Sequence, residues 1–383
     1  FDNALSREFP NITNIDVSTS IAQIQRVLDQ VIRAVEFLFG FTLAAGLVVL
    51  FIVENPLTAV CLFVDGAFGS INNLFYTLFY TTSFIFTGLA VAVAFHAGLF
   101  NIGGEGQAYV GGLGVAVVAL ALDKYVPWYV TAPLAIVAAA LFGAAWAFIP
   151  AWLQAKRGSH IVITTIMFNF IASSMMVYIL VKVLKPATAM GPQSRPFESG
   201  AFIPRLGQVL DLLGIKSGSA PANLTFFVAL LAAWLVWKLI WRTEFGYEMR
   251  VFGHNPTAAS YAGISASRVT VLAMLISGGL AGLMAVNTVM GGVHKLELDF
   301  VSGAGFVGIA VALMGRSHPL GVVLASLLFG ALYQGGAELS FAIPAISRDM
   351  ILVIQALVIL FAGALENLFR PFFAQLFARD AGA

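Results

Sequence analysis

Charge is what this 383-residue chain has least of: Asp, Glu, Lys and Arg together make up 10% of it, against about 25% in an ordinary soluble domain. A compact soluble fold of this size needs a polar exterior, and a chain that is 60% hydrophobic with a mean hydropathy of +0.91 cannot supply one, so lipid must cover much of its surface. The formal charge of +1 offers no basic excess for nucleic acid and no acidic excess for a cationic partner. One cysteine, Cys61, excludes an internal disulfide framework. There is no Gly-Lys pair anywhere, hence no P-loop and no ATP hydrolysis by that route. There is no G-x-S-x-G elbow, and His96, His160, His254, His294 and His318 are too scattered to suggest a metal site. Phe1 to Val17 has no basic region leading into an apolar core, so a cleavable signal peptide is not expected there.

What is there is a succession of long apolar runs. A bilayer-spanning helix needs about 20 largely apolar residues. Runs near 37–53, 78–95, 107–122, 128–153, 160–181, 223–241, 268–290, 302–315, 319–334 and 350–369 meet or approach that length. The expected fold is therefore all-α and polytopic, with about ten crossings and eight as the lower count, because 107–122, 302–315 and 319–334 are short enough to be tilted, broken or re-entrant. Residues 35–370 form the membrane domain, 1–34 an amphipathic lead-in and 371–383 a C-terminal tail. In the lead-in Ile21, Ile24, Val27, Leu28, Val31 and Val35 recur at helical spacing, which suits a helix lying on the membrane surface or one packed on the protein itself.

The lysine and arginine bias orients the chain. Placing Lys156 and Arg157 inside puts twelve of the 20 basic side chains on that side and eight on the other. Residues 186–222 then become an external loop, with a short helix at Leu206 to Leu213, and 242–267 a cytoplasmic one.

Two stretches break the helical pattern. His96 to Gln107 holds four glycines besides Asn101, Glu105 and Gln107, a composition that predicts broken backbone; at membrane depth such backbone is tolerated only when buried in protein or lining a wet cavity. Glu105 stands out, because an intramembrane carboxylate is costly: it either lines a pathway or caps a helix at an interface. Gly291-Gly292 and Ser302 to Gly308 interrupt the second half in the same manner, the pattern of transporters built from paired halves. Gly303 to Gly308 also fits G-x-G-x-x-G, but no strand precedes it, so a dinucleotide site is not expected. Gly278 and Gly282 give a small-residue face suited to close helix packing. In the 242–267 loop, Asn255 suits an N-cap, Pro256 the first helical position and Gly263 the residue past the end, so a short capped helix is expected on the basic side, where it could dock a partner.

Four motifs in order carry a resemblance: Gly98 to Gln107 (GLFNIGGEGQ), Ile163 to Asn169 (ITTIMFN), Phe245 to Arg250 (FGYEMR) and Ala258 to Ile264 (AASYAGI). The set resembles the permease family of branched-chain amino acid, ribose and nucleoside ABC importers, nearest to its nucleoside and simple-sugar subgroup, over roughly 53–370. The resemblance implies a non-enzymatic permease of the bacterial plasma membrane with no cofactor of its own, ATP being bound by a partner subunit. It also implies a second permease subunit, expected to be non-identical, and a periplasmic or lipoprotein substrate-binding protein. Coupling to the ATPase is expected at Gly246, Tyr247, Glu248, Arg250, His254, Asn255, Ala259 and Gly263. The translocation pathway is expected at Phe100, Asn101, Glu105, Gln107, Asn169 and Asn287. Residues Phe9 to Leu50 instead resemble the end of an extracytoplasmic domain and the next helix of an FtsX-like permease, which implies a fused or chimeric junction and an external start for Arg7, Arg26 and Arg33. Two other functions fit the residues: an ion-driven secondary transporter using a titratable relay, and an FtsX-like transmission protein that moves no solute.

Overall fold

The computed structural model describes residues 56–211, 214, 218–343, 353 and 356. The lead-in, the FtsX-like segment, the expected crossing at 37–53 and the tail lie outside them, as does nearly all of that at 350–369. Among the described residues the chain is helical: α1 (Pro56–Phe68), α2 (Ile71–His96), α3 (Gly104–Leu122), α4 (Trp128–Arg157), α5 (Ile161–Ile179), α6 (Leu206–Asp211), α7 (Thr225–Arg242), α8 (Glu244–His254), α9 (Pro256–Tyr261), α10 (Ala266–Ala285), α11 (Ala304–Met314) and α12 (Pro319–Ala342). Helix α5 continues through π turns at Leu180–Leu184 and α10 through Val286–Val293. Seven of these helices, counting the extensions, are long and apolar enough to cross a membrane. α11 is not: its 11 residues at about 1.5 Å each reach roughly half of a 30 Å hydrocarbon core.

Several expectations need correction. α1 was not foreseen, because at 13 residues it is too short to register as a span. Broken backbone is confined to 97–103, with Glu105 and Gln107 inside the first turn of α3. Gly291 and Gly292 do not interrupt their helix; the wider π turns carry it past them to His294. The coupling loop holds two helices, α8 and α9, rather than one.

Burial separates the helices by role. The apolar window of α2 is 78% buried and that of the extended α10 is 72% buried, whereas those of α4 and α5 are 28% and 22% buried and leave most of their surface uncovered by this chain. α2 is apolar all round and packs against α1, α7, α10, α11 and α12, the expected behaviour of a central helix. Its buried threonines cost little. Thr81, Thr82 and Thr87 donate to the carbonyls of Thr77, Leu78 and Ser83 on their own helix, so no polar group is left bare. The small-residue face of α10 works as expected: a Cβ on Gly278 or Gly282 would collide with the backbone of α4 around Ala139 and Gly143.

At the end of the bundle that carries 186–222, this loop is tied to the helices. Arg195 reaches Asp123 with both Nη atoms, at 2.7 and 2.8 Å, and donates to the Leu120 carbonyl at the end of α3. Ser194 and Phe197 donate to the carbonyls of Leu296 and His294 in the loop before α11. Burial pushes the Asp123 carboxyl up, but the bonds from Arg195 and from the Glu198 N–H outweigh it and hold the group below the usual range, while Asp123 in turn raises Arg195. A depressed carboxylate stabilises the fold above its unfolded pKa of about 3.9 and loses that contribution as pH falls toward its folded value. Asp123→Asn is therefore expected to cost about 1–2 kcal/mol at pH 7, a figure that allows for solvent around the partly exposed Arg195. Thermal unfolding in detergent checks this: the gap between variant and parent should persist from pH 7 to about 5 and shrink below about 4.

Candidate functional site

Two helix N-termini meet inside this protein. The chain leaves α2 at His96, turns through Gly98 at φ +65° and enters α3 at Gly104. Two hundred residues later it passes through Ser302 (φ +48°) and Gly303 (φ +77°) and starts α11 at Ala304. A Cβ on Gly305 would strike the backbone of Gly104 and Glu105, so only a residue without one fits where the two starts touch. Each start leaves N–H groups without an intrahelical acceptor, and both present the positive end of a helix dipole. Glu105, 8% exposed, answers the second start: its Oε1 accepts from the Gly303 N–H and its Oε2 from the Gly305 N–H, each at 2.9 Å. A side chain of α3 thus caps α11.

The amides expected along the pathway fix the same junction. Asn101 and Gln107 exchange a pair of hydrogen bonds at 2.9 and 3.1 Å. Asn101 also accepts from the Gly103 N–H and donates to Ser277 Oγ, which donates on to the Ala90 carbonyl, linking the loop to α10 and α2. Asn169 accepts from the Gly106 N–H and donates to the Ile102 carbonyl, pinning the loop to α5. Asn287 lies apart, toward the end that carries 186–222, where it donates to the Phe79 carbonyl and Ser83 Oγ and accepts from Asn223. Phe100 is partly exposed and stacks on Phe95 with ring centroids 5.3 Å apart. Ser277 and Asn223 escaped the sequence reading. A lone serine in an apolar run and an asparagine in a loop carry no signal until their partners, 176 and 64 residues away, are known.

The 242–267 segment, where coupling is expected, is built as its turn chemistry predicts. Thr243 caps α8 by accepting from the Gly246 N–H, and Asn255 caps α9 by accepting from the Ala258 N–H. Pro256 opens α9, and Gly263 at φ +78° closes it while Ile264 donates back to the Ala259 carbonyl, a Schellman arrangement. Of the eight residues expected there, Tyr247, His254, Asn255 and Gly263 are exposed, Glu248 and Arg250 are half-buried, and Gly246 and Ala259 are buried. Gly246 lies against the Leu239 and Ile240 carbonyls, and Arg250 donates to the Gly246 carbonyl. Tyr261, 90% exposed, was not singled out. Nor was Gly253, whose backbone lies directly on that of 96–98: a Cβ on Gly98 would come within 3.1 Å of Gly253 Cα, and one on Gly253 would strike the His96 carbonyl. Helix α8 therefore bears on the loop that leads to Glu105.

Residues 73–363 match the family described as the branched-chain amino acid transport system permease component. The chain is 38% identical over 307 residues to the guanosine ABC transporter permease of Bacillus subtilis, covering 78% of this chain and 83% of that one. It is 35% identical over 285 residues to a glucose ABC transporter permease of Haloferax volcanii, covering 72% of each. With a nucleoside ABC transporter permease of Lactococcus lactis it shares 31% over 331 residues, 85% of this chain and 88% of that one. No solved structure matches it.

The cap geometry sets an expectation for Glu105→Gln. An amide supplies one acceptor where the carboxylate supplies two and turns its NH₂ toward an N–H, so about 1–3 kcal/mol of stability should be lost. A lowered thermal midpoint in detergent would show it; an unchanged midpoint with transport abolished would instead make Glu105 a pathway group.

Proposed function

Because this chain belongs to the permease-component family of branched-chain amino acid transport systems, we propose that it carries nucleosides into the cell and takes its drive through α8 and α9. It is the membrane permease subunit of an ABC importer, a multi-pass protein of the plasma membrane that works with an ATP-binding subunit and a substrate-binding protein. The relatives that carry guanosine and nucleosides, matched across most of both chains, support the cargo. A second, non-identical permease subunit and a binding protein outside the membrane, free or lipid-anchored, belong to the same proposal and rest on the family resemblance.

The observation that carries the coupling is the backbone contact between Gly253 on α8 and Gly98 in the 97–103 loop. The exposed rings of Tyr247 and Tyr261 offer the docking face for the ATP-binding subunit, and buried Ala259 seats α9 beneath them. Movement imposed on α8 reaches 97–103 through Gly253. Asn101 and Asn169 hold that loop to α10 and α5, and Glu105 passes the displacement to α11.

Uptake of radiolabelled guanosine, ribose and glucose into liposomes holding the whole importer, with ATP or a non-hydrolysable analogue supplied to the ATP-binding subunit, tests the proposal. Guanosine uptake that needs hydrolysis and the binding protein supports it, and uptake of sugar alone refutes the cargo. Within that system Gly253→Val is expected to leave membrane insertion and copurification of the ATP-binding subunit intact. Its overpacking, on the order of 1–3 kcal/mol, should slow uptake roughly tenfold or more. Arg250→Glu and Ala259→Trp should abolish transport with the protein still in the membrane, and full transport by either would remove α8 and α9 from the coupling route.

A further inference from the structure

A cavity of about 230 Å³ lies beside the junction of the two broken helices, bounded by α2, the outer part of the extended α10, the loop into α11, and α12. Val301, Ser302 and Ala304 line it, so it adjoins the start of α11 that Glu105 caps. In transporters with interrupted helices, solute sites sit at such points because the unwound backbone and helix ends present polar groups there. Its volume, below the roughly 300 Å³ of the smallest drug-sized pockets, fits one small solute.

Its two sides differ in chemistry. On α2 and α12 the half-buried rings of Tyr80 and Tyr333 and the buried ring of Phe84 form one aromatic wall, with the Tyr333 centroid 5.7 Å from Tyr80 and 5.0 Å from Phe84. The loop side carries Asp299 and Glu297. Glu297 is paired with Lys295 at 2.9 Å. Exposed Asp299 has its Oδ1 engaged by the Tyr109 hydroxyl at 3.2 Å, while its Oδ2 makes no hydrogen bond among the described residues and can accept from a ligand hydroxyl. A monosaccharide would satisfy the carboxylate but offers the rings only a small C–H face, with no flat π surface to match the wall. A flat heterocycle joined to a hydroxylated sugar uses both sides. We infer that this cavity is the solute-contacting site of the pathway and takes a nucleoside, the base against the Tyr80–Tyr333 wall and the ribose hydroxyls donating to Asp299. The inference rests on the nucleoside reading proposed above and adds the place and mode of contact.

Photolabelling of the whole importer in liposomes with 8-azidoguanosine tests it. Label is expected in the peptides holding 79–84, 297–304 or Tyr333, and excess guanosine should block it where glucose does not. Tyr333→Ala should reduce guanosine-protected labelling roughly tenfold or more and Tyr333→Phe by less than about twofold, since stacking needs the ring and not its hydroxyl. Asp299→Ala, at an exposed position, gives an independent reading: the guanosine concentration that half-protects should rise roughly tenfold with the loss of a charge-assisted hydrogen bond. Guanosine-protected label that maps wholly elsewhere, or that survives both alanine variants, overturns the assignment while ATP-driven guanosine uptake by the parent importer keeps the nucleoside reading. A parent importer that takes up no guanosine overturns that reading, and this inference with it.

Discussion

The start of a helix inside a bilayer has no water to accept from its first N–H groups, and this protein has two such starts facing each other. Asn101 and Asn169 accept from N–H groups at the start of α3, and Glu105 serves the start of α11. Its two oxygens take the Gly303 and Gly305 N–H groups, and its charge sits between two positive helix ends that would otherwise repel. A carboxylate that would be expensive in an apolar interior is thus placed where the local field is most favourable to it. The rest of the interior is arranged to keep that junction closed. Asn101, Gln107 and Asn169 fix the loop before α3, and the glycines at 104 and 305 let the two backbones touch.

The polar groups of the core divide by reach. Thr81, Thr82 and Thr87 on α2 bond within their own helix, while Thr77 donates across to the Ala67 carbonyl of α1. The asparagines reach between helices with donor and acceptor both engaged, so each fixes the register of a pair: Asn169 joins α5 to the loop before α3, and Asn287 joins the end of α10 to α2 and to Asn223. In lipid, where helices gain little from hydrophobic contact with one another, small-residue packing and such bonds are the available means of specifying which faces meet. The close approach of α10 to α4 at Gly278 and Gly282 supplies the first, and the asparagines the second.

How much of this is legible in the sequence depends on how far each feature reaches along the chain. Asn255, Pro256 and Gly263 act within nine residues of each other, and the cap they predict is the one found. The long apolar runs announce their helices for the same reason. Glu105 draws attention as a carboxylate in an apolar region, but its partners lie 198 and 200 residues away, so a cap and a pathway group read alike until the chain is folded. Asn101, Gln107, Asn169 and Asn287 could be picked out as polar groups in apolar runs, yet nothing local shows that they bond to one another and to backbone. Gly253 sits inside a recognised motif and was passed over, because its role is a contact with Gly98 and not a property of its own segment. Gly291 and Gly292 misled in the opposite direction: glycine permits a break without requiring one, and the packing around Asn287 keeps the helix going.

The same geometry explains why drive from an ATP-binding subunit would enter through backbone. A contact between two long side chains gives way by changing rotamer, and a small displacement on one side is absorbed before it reaches the other. Gly253 and Gly98 have no side chains to yield, so main chain meets main chain and a shift of α8 must either move 97–103 or separate from it. Beyond that point each link is either a helix or a buried hydrogen bond with both partners engaged, and close-packed interiors of this kind switch between discrete arrangements more readily than they deform. The loop cannot shift alone, since Asn101 and Asn169 tie it to α10 and α5, and α3 cannot shift without Glu105 drawing on the start of α11. Under the proposed coupling, the hydrogen bonds that satisfy two stranded helix ends would also be the joints through which α3 and α11 move together.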